Sequence, residues 1–198
     1  MASEALTMEH ARREGYPVPA IEEVSADGTD LVMERIDGPS MVELMNRRPW
    51  SIRHQGSVLG DLHRRLHEIP PPDFLPAAPV GHGDAFLHMD LHPLNVIMSA
   101  TGPVVIDWPN AARGDAAVDV AIAWLLMVAG EVPGGRVKNA LIGRARGLLV
   151  GGFLAGFALG SVKRQMRDVV AWKVQDPHMS DAEQRSMWRL VEEIEAHP

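Results

Sequence analysis

Residues 87–98 read Leu87-His88-Met89-Asp90-Leu91-His92-Pro93-Leu94-Asn95-Val96-Ile97-Met98, and Val104-Val105-Ile106-Asp107 follows a few positions later. Phe86 to His88, Asn95 to Met98 and Pro103 to Ile106 are short apolar runs of strand length. A carboxylate, a carboxamide and a second carboxylate (Asp90, Asn95 and Asp107) stand at their ends. Ser99-Ala100-Thr101-Gly102 is a turn that folds the last two runs into a hairpin, so Asp107 comes back beside Asn95. Polar groups at strand ends are held by a rigid sheet and open to a ligand.

Bulk properties narrow the classes. The chain has 198 residues, 46% of them hydrophobic and 23% charged, with a net charge of −7. That length suffices for one core or for a large and a small lobe. The acidic balance argues against a nucleic-acid binder or an anionic-membrane binder, both normally basic. With no cysteine, thiol catalysis, disulfides and zinc–thiolate sites are excluded. The N-terminus carries charges where a secretory signal would be apolar, and the apolar run Leu148 to Leu159 is too short to span a bilayer. The expected location is cytoplasmic.

Working outward, Ser3 to Glu14 predicts a helix with Ser3 as its cap, ended by Gly15. Ile21 to Ser25 and Leu31 to Ile36 predict two strands around the turn Ala26-Asp27-Gly28-Thr29. Ser40 with Glu43 is a capping box, and Ser51 to His67 predicts an amphipathic helix. A proline-rich connector follows, then the short strands. Trp108 to Ala116 reads as a loop and Ala117 to Ala129 as a buried helix. Beyond Pro133-Gly134-Gly135 come helices over about Arg136 to Gly160, Ser161 to Val174 and Asp181 to Ala196, the last opened by Ser180 and Glu183. The order predicts an α+β protein: a small mixed lobe over residues 1–38 and a helical lobe over 39–198.

The spacing His88-x-Asp90-x-x-x-x-Asn95 is that of a kinase catalytic loop. Phosphoryl transfer needs a carboxylate beside the attacking hydroxyl and hard oxygen ligands for Mg²⁺. The segments HMDLHPLNVIM, GPVVIDW and GDAAVDVAIAW together resemble the aminoglycoside phosphotransferase and choline kinase-like family, and EALTMEHARREGYPVPAI and LVMERIDG resemble its first-lobe helix and inter-lobe hinge. The resemblance implies a protein kinase-like two-lobe fold and transfer of the γ-phosphoryl of ATP (or GTP) to a hydroxyl of a small molecule. It implies Asp90 as catalytic base, Asn95 and Asp107 as Mg²⁺ ligands, and the Glu34 carbonyl and Ile36 amide on the adenine, with Met33 behind them. It also makes Asp119 a brace for the catalytic loop.

One departure counts against turnover. The family places a glycine-containing phosphate loop and a lysine-bearing strand ahead of the helix whose Glu corresponds to Glu4, and no lysine precedes Lys138 here. The expectation is a truncated N-terminal lobe, with a nucleotide- or ligand-binding pseudokinase as the rival reading. The lone hairpin would leave an exposed sheet edge, a route to self-association. A remoter alternative is a metal-dependent hydrolase using His88, Asp90 and His92. His63 and His67 read as packing or surface groups, and Trp172 and Trp188 as helix-packing residues on late helices, with substrate contact as the alternative, since the resembling family builds its acceptor-binding wall there.

Overall fold

The structure, a computed structural model, describes residues 2–129, 136–177 and 179–196. The first helix, α1 (Ala2–Arg13), buries Ala5, Met8 and Ala11. Ser3 lies inside its first turn, where its carbonyl accepts the Thr7 hydroxyl at 2.8 Å, so it does not cap the helix as expected. Gly15 ends the helix in the left-handed region (φ 77°), while the Tyr16 amide reaches back to the Ala11 carbonyl at 2.9 Å. Strands β1 (Ile21–Val24) and β2 (Leu31–Met33) pair antiparallel around a turn knitted by Asp27, whose Oδ1 accepts the Ser25 and Thr29 hydroxyls. The second strand stops earlier than the expected Ile36. Beyond the Glu34 amide, which donates to the Ala20 carbonyl at 2.8 Å, the facing chain offers Pro19 and Pro17, which have no N–H to give. This pair forms a sheet of its own, with Val24 and Val32 exposed.

Helix α2 (Met41–Arg47) opens on Ser40 with both hydrogen bonds of the expected capping box, and α3 (Ile52–His67) follows. Strands β3 (Ala85–Leu87), β4 (Val96–Ser99), β5 (Gly102–Val105) and β6 (Ala112–Gly114) come next. The β4–β5 hairpin pairs in the predicted register, Val96 with Val105 and Ser99 with Gly102. Strand β6 corrects the sequence reading, which took 108–116 as loop. Its three residues, Ala-Arg-Gly, carry no alternation to detect, and they become a strand only by pairing with β3. The proline-rich connector also docks here, through the Arg113 amide to Pro76 and the Ala78 amide to Arg113.

Helix α4 (Ala116–Ala129) runs through the centre, buried on nearly every side, as its uninterrupted apolar sequence predicts. Helices α5 (Arg136–Leu154), α6 (Leu159–Lys173) and α7 (Asp181–Ala196) complete the chain. The helix expected to reach Gly160 ends at Leu154; just beyond it Gly156 lies against the Arg64 guanidinium, which covers the Phe157 ring at 5.6 Å. The Pro133-Gly134-Gly135 turn lies outside the described residues. Among the described residues no single helix is long and apolar enough to cross a membrane.

Helices α3 and α5 touch backbone to backbone. A Cβ on Gly56 would collide with the Leu149 carbonyl, and one on Gly152 with the Arg53 carbonyl. At Gly151, one position away, a Cβ would meet open space. The two neighbours therefore respond with opposite sign. Gly152→Ala should destabilise by about 1–3 kcal/mol through forced separation of the helices. Gly151→Ala should be neutral or stabilising by up to about 1 kcal/mol through helix propensity. Thermal unfolding of both variants is the measurement; equal midpoints would refute the close-packing account.

Candidate active site

Asp119, in the first turn of α4, organises the site. Its carboxylate is buried, and it accepts the Met89 amide at 2.7 Å, the His88 amide at 3.3 Å and His67 Nε2 at 3.0 Å. Two consecutive amides pointing at one carboxylate force a tight turn, and Met89 takes it with φ 66° although it bears a buried side chain. Such a conformation costs on the order of 1–3 kcal/mol. Charge-assisted bonds to both amides offset that cost. The turn carries Asp90 out of β3. Burial is the largest influence on Asp119 and works against its charge. The His67 hydrogen bond and the nearby imidazoles His63, His67 and His88 outweigh it, leaving the pKa well below the usual carboxylate range.

His67 was missed in the sequence as a partner for anything. It lies 52 residues from Asp119, and nothing local links an i,i+4 histidine pair to a carboxylate on another helix. His63 is buried and gives its Nδ1 hydrogen to the Leu59 carbonyl at 2.9 Å, so it is a packing group, as read. His88 is also buried, tilted against Trp108 with ring centroids 4.5 Å apart, and its Nε2 donates to the Ile106 carbonyl at 3.2 Å. That corrects the hydrolase alternative. His88 faces inward and fixes the residue before Asp107, so it cannot share a metal with Asp90 and His92. Among the described residues no three His, Asp or Glu side chains form a metal cluster.

Asp90, Asn95 and Asp107 are brought together. The 3₁₀ turn Pro93–Asn95 leads into β4, and the Asn95 amide nitrogen Nδ2 donates to the Asp90 carbonyl at 3.0 Å and to its carboxylate at 3.3 Å. With the nitrogen so engaged, Asn95 Oδ1 makes no hydrogen bond to described residues and is left as a donor of lone pairs. The Ile106 amide donates to the Asn95 carbonyl at 3.1 Å, joining the ends of the hairpin. Asp107 then adopts φ 70° and is exposed, with no hydrogen bond or ion pair to described residues. On its other side the Trp108 amide donates to Glu4 of α1 at 3.3 Å.

Burial above all raises the Asp90 pKa, and the Asp107 charge adds to it; His92, Lys173 and the Asn95 bond pull the other way. His92 lies 3.9 Å from the Asp90 carboxylate, and burial foremost, with Lys173 adding, lowers its pKa. Lys173, at the end of α6, is the second residue absent from the sequence reading. It lines a cavity of about 300 Å³ beside Met89, with Asn110, Trp172, Gln175 and Asp176. No local pattern points to it, because only the docking of α6 brings it near the loop. Trp172 faces this cavity while also contacting the core, and Trp188 packs on the core as expected. Of the residues expected at the hinge, Met33 packs against the core, whereas Glu34 and Ile36 border a separate cavity of about 420 Å³ that residues 99–104 also line.

The comparisons with known proteins bear on this geometry. Residues 73–153, from the connector through strands β3 to β6 into α5, match the model of the APH phosphotransferase enzyme family. This segment is similar to members of that family. A thiamine kinase of Escherichia coli is 39% identical over 62 residues, which make up 31% of this chain and 20% of that protein. Among solved structures, a choline/ethanolamine kinase family protein from Mesorhizobium loti superposes with TM-score 0.59 at 14% identity, covering 100% of this chain and 79% of that one. Choline kinase LicA from Streptococcus pneumoniae gives TM-score 0.53 at 14% identity, over 99% of this chain and 80% of that one. The α+β, protein kinase-like fold read from the sequence is the fold of these phosphotransferases.

The buried imidazoles give this loop scaffold a pH signature. Burial lowers both His63 and His88 from 6.5 to about 4. Between those values the unfolded chain binds protons that the folded chain refuses, so stability must fall as pH drops. Each histidine contributes a slope of up to about 1.4 kcal/mol per pH unit. Asp119, depressed in the fold, acts in the same direction below its unfolded pKa of about 4. Urea unfolding at about pH 7 and pH 5 should show this loss. His63→Leu should flatten the dependence, and an unchanged slope in that variant would contradict the assignment.

Proposed function

We propose that the chain transfers the γ-phosphoryl group of ATP (or GTP) to a hydroxyl of a small molecule, with Asp90 as base. The observation that carries this reading is the Asn95–Asp90 hydrogen bond together with Asp107 at the end of the same hairpin. It sets one proton acceptor and two oxygen donors, Asn95 Oδ1 and the exposed Asp107 carboxylate, close together at the end of one hairpin. Asp90 is suited to its part by burial, which raises its proton affinity, while Asn95 fixes the carboxylate toward the attacking hydroxyl. The hydroxyl oxygen bonds to the γ-phosphorus as the bond from that phosphorus to the β,γ-bridging oxygen breaks. The hydroxyl proton passes to Asp90, and the nucleoside diphosphate leaves.

The donor set fits Mg²⁺, since Asn95 Oδ1 and the exposed Asp107 carboxylate are hard oxygens without protein partners among the described residues. Bound there, the ion would neutralise charge on the transferring phosphates. Lys173 keeps positive potential near Asp90, beside which the phosphoryl group would be transferred. The Glu34 carbonyl and Ile36 amide are proposed to hold the adenine, with Met33 behind. The open edge of the β1–β2 hairpin remains a proposed route to self-association.

Asp90→Ala should lower the rate of phosphoryl transfer by about 10²–10⁴-fold, with Mg-ATP binding retained. Asp107→Ala should instead weaken Mg-ATP binding itself. A phosphoryl-transfer assay over a panel of alcohols, with calorimetry for binding, measures both. Equal turnover in the wild type and Asp90→Ala would sink the assignment, and tight Mg-ATP binding without any turnover would leave a pseudokinase.

A further inference from the structure

We propose that the acceptor is a zwitterionic alcohol, with an ammonium and a carboxylate beside its hydroxyl, and that Lys173 and Asp176 recognise those two charges; this rests on the phosphotransferase reading above. Both side chains line the cavity of about 300 Å³ beside Met89, a volume that suits a small ligand. The cavity is tied to the chemistry on two sides. Met89 directly precedes Asp90, and Asn110, on another wall, follows Asp107 by three positions. Lys173 also acts electrostatically on Asp90 and His92, so its charge is felt at the proposed base.

The way these two charges are paired selects the ligand. Lys173 Nζ lies 3.8 Å from Asp176 Oδ2, across the three positions that follow the end of α6. A charge-assisted hydrogen bond closes to about 2.7–2.9 Å, so this pair attracts without bonding. Both side chains keep some contact with solvent, 18% for Lys173 and 36% for Asp176. A pair so loose is readily opened. The ligand's carboxylate bonds to Lys173 and its ammonium to Asp176, whose two oxygens each accept more than one bond. Two short bonds then stand where one long contact was, and no unpaired charge enters the cavity. The Trp172 ring, also on the wall, gives the intervening carbon chain an apolar face. A ligand of one sign fares worse. A bare cation is drawn to Asp176 but repelled by Lys173, and a bare anion meets the reverse.

Three matched alcohols test this: L-homoserine, which carries both charges, γ-hydroxybutyrate, which lacks the ammonium, and 3-aminopropanol, which lacks the carboxylate. In calorimetric titrations the wild type should bind L-homoserine at least about tenfold more tightly than either analogue. Lys173→Gln should lose that preference and gain affinity for 3-aminopropanol, while Asp176→Asn should lose it and gain affinity for γ-hydroxybutyrate. A gain of affinity cannot come from a damaged fold. The proposal is overturned if the wild type binds none of the three or prefers a singly charged one, or if either variant leaves the L-homoserine preference intact. Mg-ATP binding with turnover of some other alcohol, and no preference for L-homoserine, overturns the site and spares the phosphotransferase reading. The expected ranking in a chain that never binds Mg-ATP supports the site and overturns that reading.

Discussion

The buried carboxylate of Asp119 is the constraint on which the site depends. A charge taken from water must be compensated, and here the compensation comes from the His67 ring and from the backbone amides of His88 and Met89. The requirement runs both ways. Asp119 stays ionised because the loop turns toward it, and the loop keeps its left-handed Met89 because the carboxylate is there. Helix α4 can hold Asp119 still because the helix is buried nearly all round. The geometry of Asp90 is thus referred to the centre of the core rather than to a surface loop.

Asp107 is positioned by a separate set of contacts. His88 holds the Ile106 carbonyl, Asn95 accepts the Ile106 amide through its own carbonyl, and Glu4 accepts the next amide, that of Trp108. Three elements therefore fix the backbone on both sides of one exposed carboxylate, which itself has no partner among the described residues. Such an arrangement suits a ligand that arrives from solvent, because the residue is pre-oriented and nothing need be broken to use it. The same histidine that attracted a metal-site reading contributes through its backbone amide to one acid and through its ring to the segment bearing the other.

Much of this was legible in the chain. The hairpin β4–β5 followed from two apolar runs and a four-residue turn, and the Ser40 and Ser180 capping boxes from Glu three positions on. The spacing of Asp90, Asn95 and Asp107 survived because all three sit within one hairpin and the loop that feeds it. Strand β6 was illegible, since three residues with a charged centre have no pattern of their own. The break between α5 and α6 was read from the sequence, but its position was placed a few residues too late, near Gly160 rather than after Leu154.

What the sequence determined by itself is therefore the local chemistry: which residues carry oxygens, at what spacing, on which short strands. Those depend on neighbours a few positions apart, and periodicity and turn residues record them. The tertiary structure alone decided who compensates Asp119, that His88 looks inward, and that Lys173 stands near Asp90. Each of these joins residues distant in the chain through the packing of whole helices. The close approach of α3 and α5 across Gly56 and Gly152 is of the same kind, since a glycine in a helix reads as a weak point until its neighbour is known.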